Sequence, residues 1–257
     1  MRPQWRASAR CQTILRTPLT RLRQRLELAQ RRAQSVEEWQ RAAEGYISDM
    51  DATLQTFGAL LRIAQIESGM PARRFTKIDL SELLHAVTEV YRPMAEEREQ
   101  RFAADIASGL IFWGDRELLT QMAANLIENA MKHSPPGASI ALTTMQSPNA
   151  LAVAVMDSGP GIPAAERQRV FQRFYRLERS RSTPGSGLGL SLVAAVAALH
   201  QVSIELTDNR PGLRVVLRFL APDQPTLTGD PLAWREKRGK LCAVKDVAPS
   251  SVGIPNN

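Results

Sequence analysis

Residues 125–134 read Asn125-Leu-Ile-Glu-Asn129-Ala-Met-Lys132-His-Ser and belong to an amphipathic pattern that predicts a helix over residues 116–133. Asn125, Asn129 and Lys132 stand at positions i, i+4 and i+7, so their side chains share one helix face and interrupt an apolar stripe. Asparagine favours caps and turns, so this face needs a compensating partner. An amide oxygen can ligate Mg²⁺ beside phosphates, and lysine can reach a phosphate oxygen. Alone, the triplet fits a solvated helix face equally well.

A second motif follows the apolar strand predicted at residues 151–156. That strand leads into Asp157-Ser-Gly159-Pro-Gly161, which delivers a carboxylate at the strand end. Asp157 can accept a hydrogen bond from the exocyclic amino group of adenine. Gly159 and Gly161 let the backbone approach a base closely. Taken alone, this motif is more often an Asx turn.

The third motif, Gly185-Ser-Gly187-Leu188-Gly189, opens a helix predicted at residues 187–200. Glycines at a helix N-terminus make an anion site, because unpaired backbone N–H groups and the helix dipole both favour phosphate. The preceding residues 176–184 are charged and loop-like, so the motif is not a dinucleotide-binding fingerprint.

The order of these motifs, with Val170-Phe171-x-x-Phe174-Tyr-Arg176 between the second and third, resembles the ATP-binding domain of bacterial sensor histidine kinases. The segments are similar to that family's N box, first glycine box, F box and second glycine box. The resemblance spans about residues 13–220 and implies a left-handed Bergerat α/β sandwich, ATP with Mg²⁺, and a mobile lid at residues 175–186.

The resemblance also implies roles for individual residues. Asn129 takes the magnesium position, Lys132 and Arg176 contact phosphates, and Asp157 contacts adenine. The full predicted nucleotide-binding set is Asn125, Asn129, Lys132, Asp157, Gly159, Gly161, Arg176, Gly185, Gly187, Leu188 and Gly189. The chemistry implied is γ-phosphoryl transfer in two-component signalling, with a response regulator receiver domain as partner.

The remaining elements place these motifs in an α+β fold. We expect a strand over Phe75–Leu80, a helix capped by Ser81 and running to about residue 97, and further strands at 101–106, 110–113, 140–145, 203–207 and 213–220. The strands cluster in pairs, which argues against a doubly wound parallel sheet. The ATP-binding domain is expected at 73–220, and a proline-interrupted, mostly disordered tail at 221–257.

An antiparallel helical hairpin is predicted at residues 13–68. Apolar residues recur at helical spacing from Leu15 to Ala29 and from Ile47 to Ala64, and Ser35 offers a cap between the helices, while Gly69-Met-Pro71 ends the second. Such a hairpin cannot bury both faces alone. Dimerisation into a four-helix bundle is therefore expected, although packing on the downstream domain would also serve.

The hairpin lacks the residue that the family phosphorylates. Where the family has histidine and an acid before Leu-Arg-Thr-Pro-Leu, this chain has Thr13 and Ile14, which supply neither nucleophile nor base. The chain's three histidines, at positions 85, 133 and 200, are predicted to be structural. Autophosphorylation at position 13 is therefore expected to be negligible.

Three hypotheses explain that substitution. The N-terminus is misassigned from a longer membrane kinase, or the chain is a degenerate kinase that still acts as a response-regulator phosphatase, or it is a non-catalytic ATP-binding dimerisation module. For the second, Thr17 lies four positions after the lost histidine, where phosphatase-competent members keep a water-orienting threonine or asparagine. It also fits a plain helix-start residue before Pro18.

Charge and composition exclude several other classes. Residues 1–35 hold nine arginines and one acid, Glu27, which leaves the rest of the +7 chain near neutral and without a nucleic-acid-binding stripe. Residues 1–12 are basic and predicted to be disordered or non-native, with no signal peptide. Cys11 and Cys242 form no metal motif, and the longest apolar run, 188–199, is too short to span a bilayer. We therefore expect a cytoplasmic chain, with membrane attachment only through a missing N-terminal sensor region.

Overall fold

The computed structural model describes residues 35–68, 75–147, 150–178 and 185–220, together with residues 20, 23, 24 and 27–31. All of them belong to one compact unit that spans residues 1–221. Predictions for Thr13, Thr17, most of the first hairpin helix, the Gly69–Pro71 helix end and the tail after residue 220 therefore lie outside the described residues. So do residues 179–184 of the predicted lid.

The described chain is one long helix followed by a mixed α/β domain. In chain order the elements are α1 (Val36–Glu67), β1 (Thr76–Asp79), α2 (Leu80–Glu97), β2 (Arg101–Asp105), β3 (Ile111–Gly114), α3 (Arg116–His133), β4 (Ser139–Ser147), β5 (Ala150–Asp157), α4 (Gly189–Leu199), β6 (Val202–Asp208) and β7 (Leu213–Leu220). Two short 3₁₀ turns, Ala164–Glu166 and Arg169–Phe171, lie between β5 and α4. The predicted helical region followed by an α/β sandwich is confirmed.

Two sheets organise the domain. Strands β1 and β3 pair in an antiparallel ribbon, and the larger sheet has the order β2-β4-β5-β7-β6, with only β2 and β4 parallel. Inward side chains alternate along its strands, as expected for a sheet covered on one face. They pack against α2, α3 and α4 in a single core whose largest fully buried members include Leu83, Leu119, Met122, Ile127, Leu142 and Leu192.

The helix caps confirm one prediction and correct another. Ser35 caps α1 as predicted, because its Oγ accepts a hydrogen bond from the Glu38 N–H. Ser81 does not cap α2. Asp79 does, through Oδ1, which accepts from the N–H groups of Ser81 and Glu82 at 2.8 and 3.3 Å. The Ser81 hydroxyl instead donates to the carbonyl oxygen of Ala107, and it accepts from the N–H of the buried Leu110.

Helix α1 packs its last turns on the domain and exposes its middle. Ile63 and Ile66 are buried in the core cluster, and Arg62 forms an ion pair with Glu117 of α3 at 2.6 Å. The predicted apolar stripe remains exposed at Ile47, Met50, Leu54, Phe57 and Leu61. Packing on the downstream domain therefore covers only the end of this helix.

The buried His200 stabilises the junction between β3 and α3, which agrees with its prediction as a structural residue. Its Nε2 accepts from the Asp115 N–H at 3.0 Å, and its ring stacks on Phe75 with 4.6 Å between centroids. Burial lowers the pKa of this imidazole, so the neutral ring is the stable form. Within the described part of the chain, no helix has the length and hydrophobicity that crossing a bilayer requires.

Candidate functional site

All eleven residues of the predicted nucleotide-binding set line one cleft. Helix α3 forms one wall of this cleft, the loop after β5 forms the second, and the residues that lead into α4 form the third. These segments lie about 30 residues apart along the chain, and the fold brings them together. Tyr175 and residues of α1 also line the cleft.

Asp157 lines the cleft as the last residue of β5 and is 7% exposed. Its Oδ1 accepts hydrogen bonds from the N–H groups of Gly159 at 2.9 Å and Leu213 at 3.2 Å. Burial raises the pKa of the carboxyl group, and the two backbone hydrogen bonds act against that rise. Both backbone donors share Oδ1, so Oδ2 is the oxygen that is left to accept a hydrogen bond from a ligand.

Glycines let three backbone segments meet around Asp157. A Cβ on Gly159 would lie 2.9 Å from the His133 carbonyl oxygen, and one on Gly161 would lie 2.8 Å from the Gly212 carbonyl oxygen. Gly212 is the tightest, because a Cβ there would lie 1.8 Å from the Asp157 carbonyl oxygen. No side chain fits at that position.

Gly212 and its neighbour Asn209 are not in the predicted set. Asn209 donates from Nδ2 to the carbonyl oxygen of Asp157 at 2.8 Å, so the β6–β7 turn fixes the backbone of the aspartate. The signal was visible as the turn sequence Asn209-Arg-Pro-Gly212 between two predicted strands. Its target, 52 residues away, was not.

The α3 face carries the predicted amides and lysine along one wall of the cleft. Asn125 donates from Nδ2 to the Gln121 carbonyl oxygen at 2.8 Å, and its Oδ1 lies 3.1 Å from the position that a Cβ on Gly189 would occupy. The partner that this mid-helix asparagine needs is therefore its own helix backbone. Gln121 and Glu128 line the cleft from the same helix, although neither was predicted from the sequence.

The cationic part of the cleft consists of Lys132, Arg176 and the glycine loop, residues 185–189. Burial lowers the pKa of the half-buried Lys132, and the charge of Arg176 lowers it further. Arg176 donates from Nη1 to the Gly185 carbonyl oxygen at 2.9 Å. A Cβ on Gly185 would lie 2.0 Å from Lys132 Nζ, so the glycine leaves the ammonium group its space.

The glycine loop turns sharply into α4. Gly187 has a φ of +72°, and its carbonyl oxygen accepts from the Phe174 N–H at 3.0 Å. The predicted helix start at residue 187 is therefore wrong, and α4 begins at Gly189. Leu188 is fully buried and its side chain makes no capping bond, so the first N–H groups of α4 remain available to an anion.

The comparisons with known proteins agree with this geometry. Residues 114–223 match the family described as histidine kinase-, DNA gyrase B-, and HSP90-like ATPase, which is the class that the fold and the cleft define. The signal transduction histidine-protein kinase/phosphatase MprB of Mycobacterium leprae is 36% identical over 224 residues, which cover 82% of this chain and 42% of MprB. The chain belongs to the sensor histidine kinase family.

Solved structures show the same fold. Acinetobacter baumannii histidine kinase AdeS gives a TM-score of 0.68 at 18% identity over 81% of this chain and 98% of that one. Histidine kinase ThkA, solved in complex with response regulator protein TrrA, gives 0.66 at 19% identity over 83% and 60%. The chain spans 42%, 58% and 39% of the first three curated relatives it matches.

We predict that Gly212→Ala destabilises the domain much more than Gly137→Ala. Gly137 also has a positive φ, but a Cβ there meets nothing within 4 Å, so the expected loss is the backbone strain alone, about 1–2 kcal/mol. Gly212→Ala adds a clash with the Asp157 carbonyl oxygen, and we expect a total loss of roughly 3–5 kcal/mol. Urea unfolding of both variants measures the difference. Equal losses would contradict the close approach.

Proposed function

We propose that the cleft binds ATP with Mg²⁺ for γ-phosphoryl transfer in two-component signalling. One observation carries this proposal. The cleft is lined both by the buried carboxylate of Asp157 and by the cations Lys132 and Arg176 with the N-terminus of α4. ATP has the complementary chemistry, with an amino-bearing base at one end and a polyanion at the other.

The residues then take the following roles. Asp157 accepts a hydrogen bond from the adenine amino group, and Gly159 and Gly161 give the base close access to the backbone. Lys132 and Arg176 neutralise phosphate charge. The amides around Gly185, Gly187, Leu188 and Gly189 cradle phosphate oxygens, and Asn125 borders them from α3. These groups position the phosphates and stabilise charge, which is most of what phosphoryl transfer requires of a protein.

Asn129 is the residue that we propose as magnesium ligand. Among the described residues, no group of three or more His, Cys, Asp or Glu side chains could hold a metal ion. The Asn129 amide would add one protein oxygen to a Mg²⁺ ion held mainly by nucleotide phosphates and water. The ion would neutralise charge on the phosphates between which it is shared.

The long helix supports a dimeric assignment for the hairpin. Its exposed stripe repeats at alternate spacings of three and four residues, as the packed face of a helical bundle does. We therefore propose a dimerising hairpin at residues 13–68 and an ATP-binding domain at residues 73–220. ThkA was solved with a response regulator, and we extend a partner of that kind to this chain.

We predict that Asp157→Asn weakens MgATP binding by roughly 10- to 100-fold, because the bond to the adenine amino group loses its charged acceptor. Isothermal titration calorimetry measures the affinity. Asp105→Asn, an exposed aspartate on β2, is the matched control and is expected to leave binding unchanged. Equal affinity in wild type and Asp157→Asn would reject the adenine assignment.

We predict that the wild-type chain incubated with γ-labelled ATP gains no acid-labile, base-stable phosphate, because Thr13 and Ile14 provide neither imidazole nor carboxylate. The double substitution Thr13→His with Ile14→Glu is expected to restore such a label. Adding Asp157→Asn to that double variant is expected to remove it. Acid-labile label on the wild-type protein would contradict the first expectation, and an unlabelled double variant would contradict the second.

A response-regulator phosphatase is the second candidate function, and the kinase/phosphatase name of MprB favours it. Thr17 would orient the attacking water. We predict that a phosphorylated partner regulator loses phosphate faster with the wild-type protein than with Thr17→Ala. Equal decay rates would reject this role for Thr17.

A further inference from the structure

Arg167 holds a segment of the cleft wall, although it is not among the described residues that line the cleft. Its side chain is 21% exposed. The guanidinium group donates from Nε to the Ile162 carbonyl oxygen at 3.2 Å and from Nη1 to the Leu206 carbonyl oxygen at 3.4 Å. Its Nη2 forms an ion pair with Asp208. One planar group with donors in fixed directions therefore joins three acceptors.

These acceptors belong to parts of the sheet that are not neighbours. Ile162 follows the last residue of β5 by five positions, whereas Leu206 and Asp208 belong to β6. In the strand order, β7 lies between β5 and β6. The ladder hydrogen bonds of the sheet therefore do not join the chain after β5 to β6, and the Arg167 side chain supplies that connection.

The segment that Arg167 holds is the β5 loop, residues 158–163. Its first part is fixed by close contact, since a Cβ on Gly161 would lie 2.8 Å from the Gly212 carbonyl oxygen. Its second part begins with Ile162, which is 9% exposed, belongs to the core cluster and lines the cleft. The bond from Arg167 anchors the backbone of this second part.

The alternative role for Arg167 is that of an ordinary surface ion pair. The Asp208 side chain is 59% exposed, and a pair with so exposed a partner contributes little to stability. Two of the three acceptors are backbone carbonyl oxygens, however, so the bonds fix the position of the chain itself. A nucleobase needs apolar surface around it as well as a partner for its polar edge. The position of Ile162 therefore affects how a base fits in the cleft.

We propose that Arg167 is a positioning residue for the base. By joining the Ile162 carbonyl oxygen to β6, it holds the β5 loop where the cleft can enclose the adenine ring beside Asp157. The adenine in this inference rests on the proposed function. The bridge from Arg167 to the loop does not, because it exists in the protein without a ligand. The bridge and its effect on binding are therefore tested by separate experiments.

The first experiment measures amide hydrogen exchange in the full chain without nucleotide. We expect the amides of residues 159–162 to exchange roughly three- to tenfold faster in Arg167→Leu than in wild type, and those of α3 to exchange at wild-type rates. Arg167→Lys keeps the charge opposite Asp208 but lacks the fork that reaches both carbonyl oxygens, so it is expected to behave like Arg167→Leu. Wild-type exchange of the loop in Arg167→Lys, or in a folded Arg167→Leu, overturns the proposal.

Two further variants separate the bridge from the ion pair. Asp208→Asn removes a charge but keeps an oxygen that accepts a hydrogen bond, so the loop is expected to stay protected. Arg218→Leu breaks the pair with Glu205 between β6 and β7 and is the matched control, with no expected change in loop exchange. Exchange in Asp208→Asn as fast as in Arg167→Lys would assign the effect to the ion pair. Equally fast exchange in Arg218→Leu would assign it to a general weakening of the sheet. Either result overturns the proposal.

The second experiment tests the base through double-mutant cycles of MgATP affinity. Arg167→Lys is expected to weaken binding by roughly five- to tenfold in the wild-type background and in an Arg176→Ala background, but by roughly twofold at most in an Asp157→Asn background. Coupling to Asp157 alone would place the effect at the base, which a general loss of stability would not do. No loss in the wild-type background, or equal losses in all three, overturns the positioning role.

The two experiments also separate this inference from the proposed function. A wild-type protein that does not bind MgATP overturns the proposed function. The exchange rates of residues 159–162 still decide, in that case, whether Arg167 holds the β5 loop.

Discussion

Taking the Asp157 carboxylate out of water is unfavourable, and the fold offsets that penalty with backbone donors from two separate segments. One donor is Gly159, in the loop that follows β5, and the other is Leu213, at the start of β7. Asn209 adds a bond to the aspartate carbonyl oxygen. A shift of β7 against β5 breaks two of these bonds together. The register of these two strands therefore also determines how the Asp157 carboxylate is held in the cleft.

The cationic part of the cleft is unfavourable for a different reason, because several positive groups share a small volume. Lys132 and Arg176 repel each other, and burial weakens the charged form of the lysine further. Bound phosphate would relieve this repulsion. Glu128, which accepts a hydrogen bond from Tyr91, is an acid that lines the same cleft. The cleft therefore combines a carboxylate fixed by hydrogen bonds with a group of cations.

Periodic elements were predictable from the sequence, because their cause is local. Helix α3 has the predicted bounds, and every predicted strand is observed with bounds within two residues. The wrong or missing predictions share a different cause, which is contact with residues distant in the sequence. Ser81 and Asp79 are both competent caps, and Ser81 is diverted by partners 26 and 29 residues away. Gly212 and Tyr91 act on residues 55 and 37 positions distant, so neither spacing nor propensity indicates their role.

Among the described residues, the hydrogen bonds that shape the cleft come from the mixed α/β domain itself. The last turns of α1 connect this helix to the mixed α/β domain. Ile63 and Ile66 are packed in the domain core, and ion pairs join Arg62 to Glu117 and Glu67 to Arg173. Helix α1 also lines the cleft with Asp49, Thr53 and Thr56. Any ligand that moves α3 or the residues after β5 must therefore work against contacts made by α1. The cleft of the proposed ATP site is thus lined in part by the helix that carries the exposed stripe.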